Sequence, residues 1–151
     1  MAYVSGEARR AACLFCAALA AGDDAKHWIL HRGGTAFALL NAFPYASGHL
    51  MVAPTRHVAS PEDLDESESL DLMRATRRAL AALRAVYTPD GFNLGANLGR
   101  AAGAGVEGHL HLHVVPRWAG DTNFMPVVGS AKVLPESLDE TFRRLRPHLG
   151  A

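Results

Sequence analysis

Residues 109–115 read HLHLHVV, and this strict alternation restricts what the backbone can do. Side chains two positions apart share one face of a β-strand, whereas a helix would scatter the same histidines around its axis. The segment therefore predicts a strand over about 109–117. His109, His111 and His113 project to one side, while Leu110, Leu112 and Val114 turn into a core. Lysine, threonine or serine would serve a solvated face equally well, and each buried imidazole needs a partner for at least one nitrogen. The histidine face is read as chemistry, either metal ligation or phosphate handling. Histidine is a competent nucleophile once a neighbouring acceptor fixes its tautomer.

A strand with one apolar face needs a sheet and a covering layer, and the rest of the chain supplies both. "WILHR" and "TAFALLNAF" read as strands separated by the turn signal Gly33-Gly34, and "GHLMVAPTRHV" follows the turn "PYASG" as another. A long helix comes next, with Ser60 as N-cap, Pro61 at the first helical position and Asp63 three residues after the cap. Leu72, Met73, Thr76, Leu80, Leu83 and Tyr87 recur in it at helical spacing. "TPDG" closes the helix, "FNLGANLG" resumes extended structure and "GRAAGAGVEG" forms a loop before the histidine strand. "PESLDETFRRLRPHL" then carries Leu138, Phe142, Leu145 and Leu149 at helical spacing. The expected class is α+β: a mainly antiparallel sheet with a long helix packed on it and a C-terminal helix.

At 151 residues the chain fits a single domain, 1–151, that can bury a core without disulfides. Lys plus Arg number 15 and Asp plus Glu number 15, so there is no cationic excess of the kind a general nucleic-acid or membrane-surface binder uses. No apolar run approaches the roughly 18 residues of a spanning helix. The N-terminal segment, about 6–22, reads as a short mature helix interrupted by Cys13 and Cys16, which suggests a cytoplasmic protein. In a reducing compartment a Cys-x-x-Cys pair points to metal binding or redox work rather than to a structural disulfide.

The pattern "HLHLHVV" resembles the signature of the histidine triad (HIT) superfamily of nucleotide hydrolases and transferases. "CLFC" resembles the zinc pair near the start of many members, and "NAFPYASGHLMVAPTRHV" their nucleotide-binding strands. The stretch from "FNLGANLG" through "PESL" is most similar to the bacterial branch of diadenosine tetraphosphate (Ap4A) phosphorylases. The resemblance implies a HIT-like fold and His111, the middle histidine, as nucleophile on an α-phosphate. His113 and His49 would be the flanking histidines on the phosphate oxygens. Asn41 matches a ribose-contacting position and Asn97 a polar residue near the phosphates. Cys13, Cys16, His57 and His109 would hold a structural Zn2+, closed by four protein ligands. His27, His31 and His148 match nothing in the family.

The resemblance also has departures. Many members carry Gly-Gln-Ser or Gly-Gln-Thr before the triad, whereas this chain has "GAGVEG", with Gly105 where related phosphorylases tend to have serine. A loop of small residues offers room and backbone N–H groups to an incoming phosphate ion. The implied reaction is thus cleavage of dinucleoside polyphosphates such as Ap4A, with inorganic phosphate as acceptor. Glu107, beside the triad, reads as a solvated loop carboxylate. Trp118, Asp121, Asn123 and Phe124 match a region that nears the partner subunit in dimeric relatives, so a homodimer is expected. Three alternatives stay open: a HIT-type hydrolase using water, a nucleotide-binding module with vestigial catalysis, and a structural zinc domain.

Overall fold

β1 (Ile29–Arg32), β2 (Ala36–Leu40), β3 (Leu50–Pro54), β4 (Gly91–Gly95) and β5 (Leu112–Arg117) form an antiparallel sheet in the order β1-β2-β3-β5-β4. This is the arrangement in a computed structural model, which describes residues 12–123, 125–130 and 136–150. Phe124 and the N-terminal segment before Ala12 lie outside the described residues. Helix α1 (Leu14–Ala21) precedes the sheet, α2 (Glu66–Tyr87) connects β3 to β4, and a single turn, α3 (Met125–Val128), and α4 (Leu138–Leu149) follow β5. Among the described residues no helix is long and apolar enough to cross a membrane.

β2 and β3 are buried at every position, because both faces of the sheet are covered. On one face, Ala36, Ala38, Leu40, Leu50 and Val52 pack with Leu72, Ala75, Ala79 and Leu83 of α2 and with Leu145 and Leu149 of α4. On the other, Ile29, Phe37, Leu39, Met51 and Ala53 pack with Cys13, Phe15 and Ala18. Each fully buried leucine or phenylalanine contributes on the order of 2 kcal/mol. Leu110 and Val114 join the α2 side as the alternation predicts, with Leu112 against the same cluster. Met73 departs from the predicted apolar stripe and is 51% exposed. It sits one residue past Leu72, about 100° around the helix.

Two boundaries differ from the sequence expectation. Ser60 and Pro61 begin only a 3-10 turn, Pro61–Asp63, and the long helix starts at Glu66. Asp65 provides the stronger cap. Its carboxylate accepts from the Glu68 amide at 2.8 Å and the Glu68 carboxylate accepts from the Asp65 amide at 3.0 Å, a reciprocal capping box. Arg56 grips the same Glu68 at 2.8 and 2.7 Å, tying the helix start to the chain after β3. The Ser60 hydroxyl instead donates to Glu62.

The histidine strand also begins late, at Leu112 rather than at residue 109. Pairing with β3 stops at Val52 opposite Leu112. Pro54, the last residue of β3, has no amide hydrogen to offer, and its carbonyl accepts from the His109 ring at 2.8 Å. His109 to His111 therefore run beyond the ladder, where the Leu110 amide donates to the Val58 carbonyl at 2.6 Å.

The turn that presents His49 is held against α2 by a glycine. Gly48 has φ +86°, and a Cβ there would lie 2.9 Å from Leu83 Cδ2 and 3.2 Å from Tyr87 Cε2. Gly48→Ala meets both a left-handed backbone and a crowded helix face, so it is expected to destabilise the fold by about 2 kcal/mol. Denaturant midpoints of the two proteins test this, and equal midpoints would mean that the turn lifts off α2 freely.

Candidate active site and metal-ligand cluster

The Cys-x-x-Cys spacing becomes the first turn of a helix. Cys13 is the N-cap of α1 and Cys16 lies three residues on, so both side chains emerge on one side. His57 arrives from the chain after β3 and His109 from the approach to β5. Cys13 Sγ lies 3.4 Å from His109 Nδ1, while Cys16 Sγ lies 3.4 Å from His57 Nδ1 and 3.6 Å from His109 Nδ1. All four ligand atoms fall within 4.8 Å of one another, so this group could hold a metal ion.

The chemistry of the donors fits such an ion. A carbonyl only accepts, so the His109 Nε2 beside Pro54 O carries the proton, and Nδ1 turns its lone pair to the sulfurs. Burial holds His109 below the usual imidazole range, against the pull of the Pro54 carbonyl. That favours the neutral, ligating form. Two thiolates and two imidazoles are a common donor set for tetrahedral zinc, and four protein ligands leave no open position.

His111 is 7% exposed. Its Nδ1 lies 2.8 Å from the His109 carbonyl. By the same donor argument the proton sits on Nδ1, so Nε2 keeps its lone pair. His111 is thereby prepared as a base, a ligand or a nucleophile at one defined atom. The His113 ring stands at 70° to it, with centroids 5.0 Å apart.

His49 and His113 form a hydrogen-bonded pair. The Tyr45 amide donates to His49 Nδ1 at 3.0 Å, so the His49 proton is on Nε2. That nitrogen lies 2.9 Å from His113 Nδ1, making His113 Nδ1 the acceptor and leaving the His113 proton on Nε2. Burial, then the neighbouring His111, keeps His113 below the usual imidazole range, consistent with a neutral ring. Asn41 sits beside this pair, but its Oδ1 accepts from the Phe43 amide at 2.9 Å in an Asx turn. Its Nδ2 is 3.4 Å from His49 Nε2, a contact rather than a strong bond.

A cleft of about 960 Å³ opens at His113, bounded by Tyr45, Asn97, Trp118, Asp121 and Arg144 among others. Its charges are largely paired. Arg117 grips Asp121 at 2.7 and 2.8 Å and donates to Asn93 at 2.7 Å. Arg144 donates to Glu136 at 2.6 Å, and Glu136 also accepts from Tyr87 and Thr141. Burial pushes the Tyr87 hydroxyl up to about 12, helped by its bond to Glu136.

Of the sequence candidates, the structure brings Cys13, Cys16, His57 and His109 into one cluster and His111, His113 and His49 into another. Asn97 lines the cleft, whereas Asn41 and Gly105 do not. The space around a Cβ at Gly105 is open, so the serine of related phosphorylases would fit there. Glu107 pairs with Arg100 at 2.7 Å on the exposed loop rather than with a triad ring. Two residues at the site escaped sequence reasoning. Phe15 packs on the triad from between the two cysteines. Tyr45 stands 6.0 Å from His113, stacked at 17°, and 4.5 Å from His49. Their signals were an aromatic residue inside "CLFC" and one four residues before His49.

The model of the HIT domain matches residues 24–120. A protein of Mycobacterium tuberculosis strain H37Rv named AP-4-A phosphorylase is 47% identical over 123 residues, which is 82% of this chain. The chain spans 63% of that relative's length. The crystal structure of a Zn-bound histidine triad family protein from Mycobacterium smegmatis has a TM-score of 0.73 and 25% identity, covering 92% of this chain and 94% of that one. A hypothetical histidine triad nucleotide-binding protein from Sulfolobus tokodaii shares the fold at TM-score 0.73 and 24% identity, covering 90% of this chain and 91% of its own. With the triad rings, the sheet and these likenesses together, the chain belongs to the HIT family.

Proposed function

We propose that this protein cleaves dinucleoside polyphosphates such as Ap4A by nucleotidyl transfer through His111, with inorganic phosphate as the acceptor. The observation that carries the reading is the 2.8 Å contact of His111 Nδ1 with the His109 carbonyl, which leaves Nε2 unprotonated. The 47% identical relative named AP-4-A phosphorylase supports the substrate class. In the first step the Nε2 lone pair forms a bond to an α-phosphorus, and the bond from that phosphorus to the next bridging oxygen breaks. Nucleoside triphosphate leaves, and a nucleoside monophosphate remains on His111. The His109 carbonyl then faces a cationic ring and stabilises it. His113, whose proton rests on Nε2, is the donor toward the phosphate oxygens, and His49 holds it in that tautomer. In the second step a phosphate oxygen attacks the same phosphorus, the N–P bond breaks, and nucleoside diphosphate is released.

Cys13, Cys16, His57 and His109 hold a structural Zn2+ in this reading. When bound, the ion cross-links the N-terminal turn to the sheet and takes no part in activating water. Asn97, on the cleft wall, meets the phosphates, and the small-residue loop at Gly105 leaves open space for the incoming phosphate. Two copies pair as a homodimer, for which the edge strand β4, with Leu94 exposed, provides a ladder that no other strand among the described residues covers.

The acceptor is tested by incubating the protein with Ap4A with and without phosphate. Equal amounts of ADP and ATP are expected when phosphate is present, at a rate that rises with its concentration. Turnover that ignores phosphate and yields AMP and ATP would assign the protein to the hydrolases.

A further inference from the structure

The Cys-x-x-Cys turn carries two residues between its ligands, and the fold treats them oppositely. Leu14 is exposed, whereas Phe15 is 1% exposed. The Phe15 ring lies 5.0 Å from that of His109 and 4.9 Å from that of His111, centroid to centroid. It also meets Phe37 of β2 edge-on, at 6.4 Å and 72°. One side chain therefore touches a metal-cluster imidazole and the imidazole of the triad's middle residue together.

We propose that Phe15 is a positioning residue for His111, holding the imidazole plane so that Nε2 is presented to phosphorus, and linking that orientation to closure of the Cys13/Cys16 turn. The proposal rests on the reading of His111 as nucleophile.

The geometry explains why a second constraint is needed. The bond from Nδ1 to the His109 carbonyl fixes one edge of the ring and its tautomer, but the ring can still tilt about that contact. Phe15 lies at 34° to the imidazole and His113 at 70°, so the ring has two close neighbours with differently oriented planes. Phe15 is itself immobilised, since it is buried, wedged on Phe37 and placed in the helical turn between Cys13 and Cys16. A phenyl ring neither donates nor accepts a conventional hydrogen bond, so its contact leaves both imidazole nitrogens to their other partners. An aliphatic residue of similar bulk would fill the space without offering a plane.

The test compares the parent with Phe15→Leu in zinc content, steady-state kinetics on Ap4A with phosphate, and the 13C and 15N ring resonances of His111. Phe15→Leu is expected to keep the parent's zinc content and a KM within about threefold, while kcat falls roughly 10- to 100-fold, as for a reacting atom displaced by about an ångström. Free to tilt, the His111 ring should loosen its bond to the His109 carbonyl, so its resonances should pass from one Nδ1–H tautomer to a mixture. An unchanged kcat and tautomer would overturn the proposal. So would a loss confined to KM, which marks a substrate contact, or an activity loss proportional to lost zinc, which marks a role in the metal turn alone. Should Phe15→Leu fail to fold, Phe15→Met carries the same comparison, since methionine fills irregular space without a plane. If the parent fails to cleave Ap4A, the nucleophile reading falls, while the ring resonances still decide whether Phe15 holds His111.

Discussion

Asparagine in place of His111 is expected to lower kcat on Ap4A by roughly ten-thousand-fold or more, because it removes the atom that forms the covalent bond. Asparagine suits the test because its side-chain amide can still donate toward the His109 carbonyl, so the approach to β5 keeps its anchor. The fold should survive, read as an unchanged melting temperature. A second measurement follows from the mechanism: the parent, quenched in alkali during turnover, should carry a nucleoside monophosphate on His111, and His111→Asn should carry none. An N–P linkage is labile in acid and stable in base, which separates it from an ester on serine or threonine. Undiminished turnover in His111→Asn would sink the nucleophile assignment. A parent that binds Ap4A without cleaving it would favour a nucleotide-binding module, and a chain with zinc but no affinity for nucleotide would favour a structural zinc domain.

Much of the site was legible because it depends on local periodicity. The alternation at 109–113 places Leu110 in the core and the imidazoles opposite, whatever the partner strands are. The three-residue spacing of Cys13 and Cys16 likewise yields one helical turn with both thiols on one side. What could not be read depends on contacts across the chain. The strand stops short of His109 because of Pro54, distant in sequence, which has no amide hydrogen and lends its carbonyl to a side chain. The helix begins at Glu66 because Arg56 reinforces the Asp65–Glu68 box, an ion pair that no local cap preference reveals. The His49 proton is placed by the Tyr45 amide, and a backbone group leaves no mark in a motif. Asn41 was equally compatible with a turn and a ribose contact, and its Oδ1 is observed in the turn.

Cys16→Ser is expected to reduce stability by about 4 kcal/mol, since it removes one of four ligands that join the N-terminal turn to the sheet. For a chain of this size that is roughly 8–16 °C in Tm. The cluster links α1, the chain after β3 and the approach to β5, and only Phe15, Cys13 and Ala18 among the described buried residues of α1 and its cap pack on that face of the sheet. Leu19 adds a partly buried contact and Arg32 donates to its carbonyl, so with this small anchor a bound ion would carry much of the attachment of α1. A chelator should therefore lower the parent's Tm by a similar amount and leave Cys16→Ser almost unmoved. Elemental analysis should find one zinc per chain in the parent and far less in the variant. A variant that keeps its zinc, or a parent indifferent to chelation, would refute the four-ligand site. The order of effects also separates the two possible roles of the ion. A catalytic zinc, with a position open to water, would take activity away while Tm stayed nearly constant. A closed structural site predicts the reverse sequence as chelator is added: Tm falls with the metal, and kcat declines because His109, whose carbonyl orients His111, is no longer held from its other side.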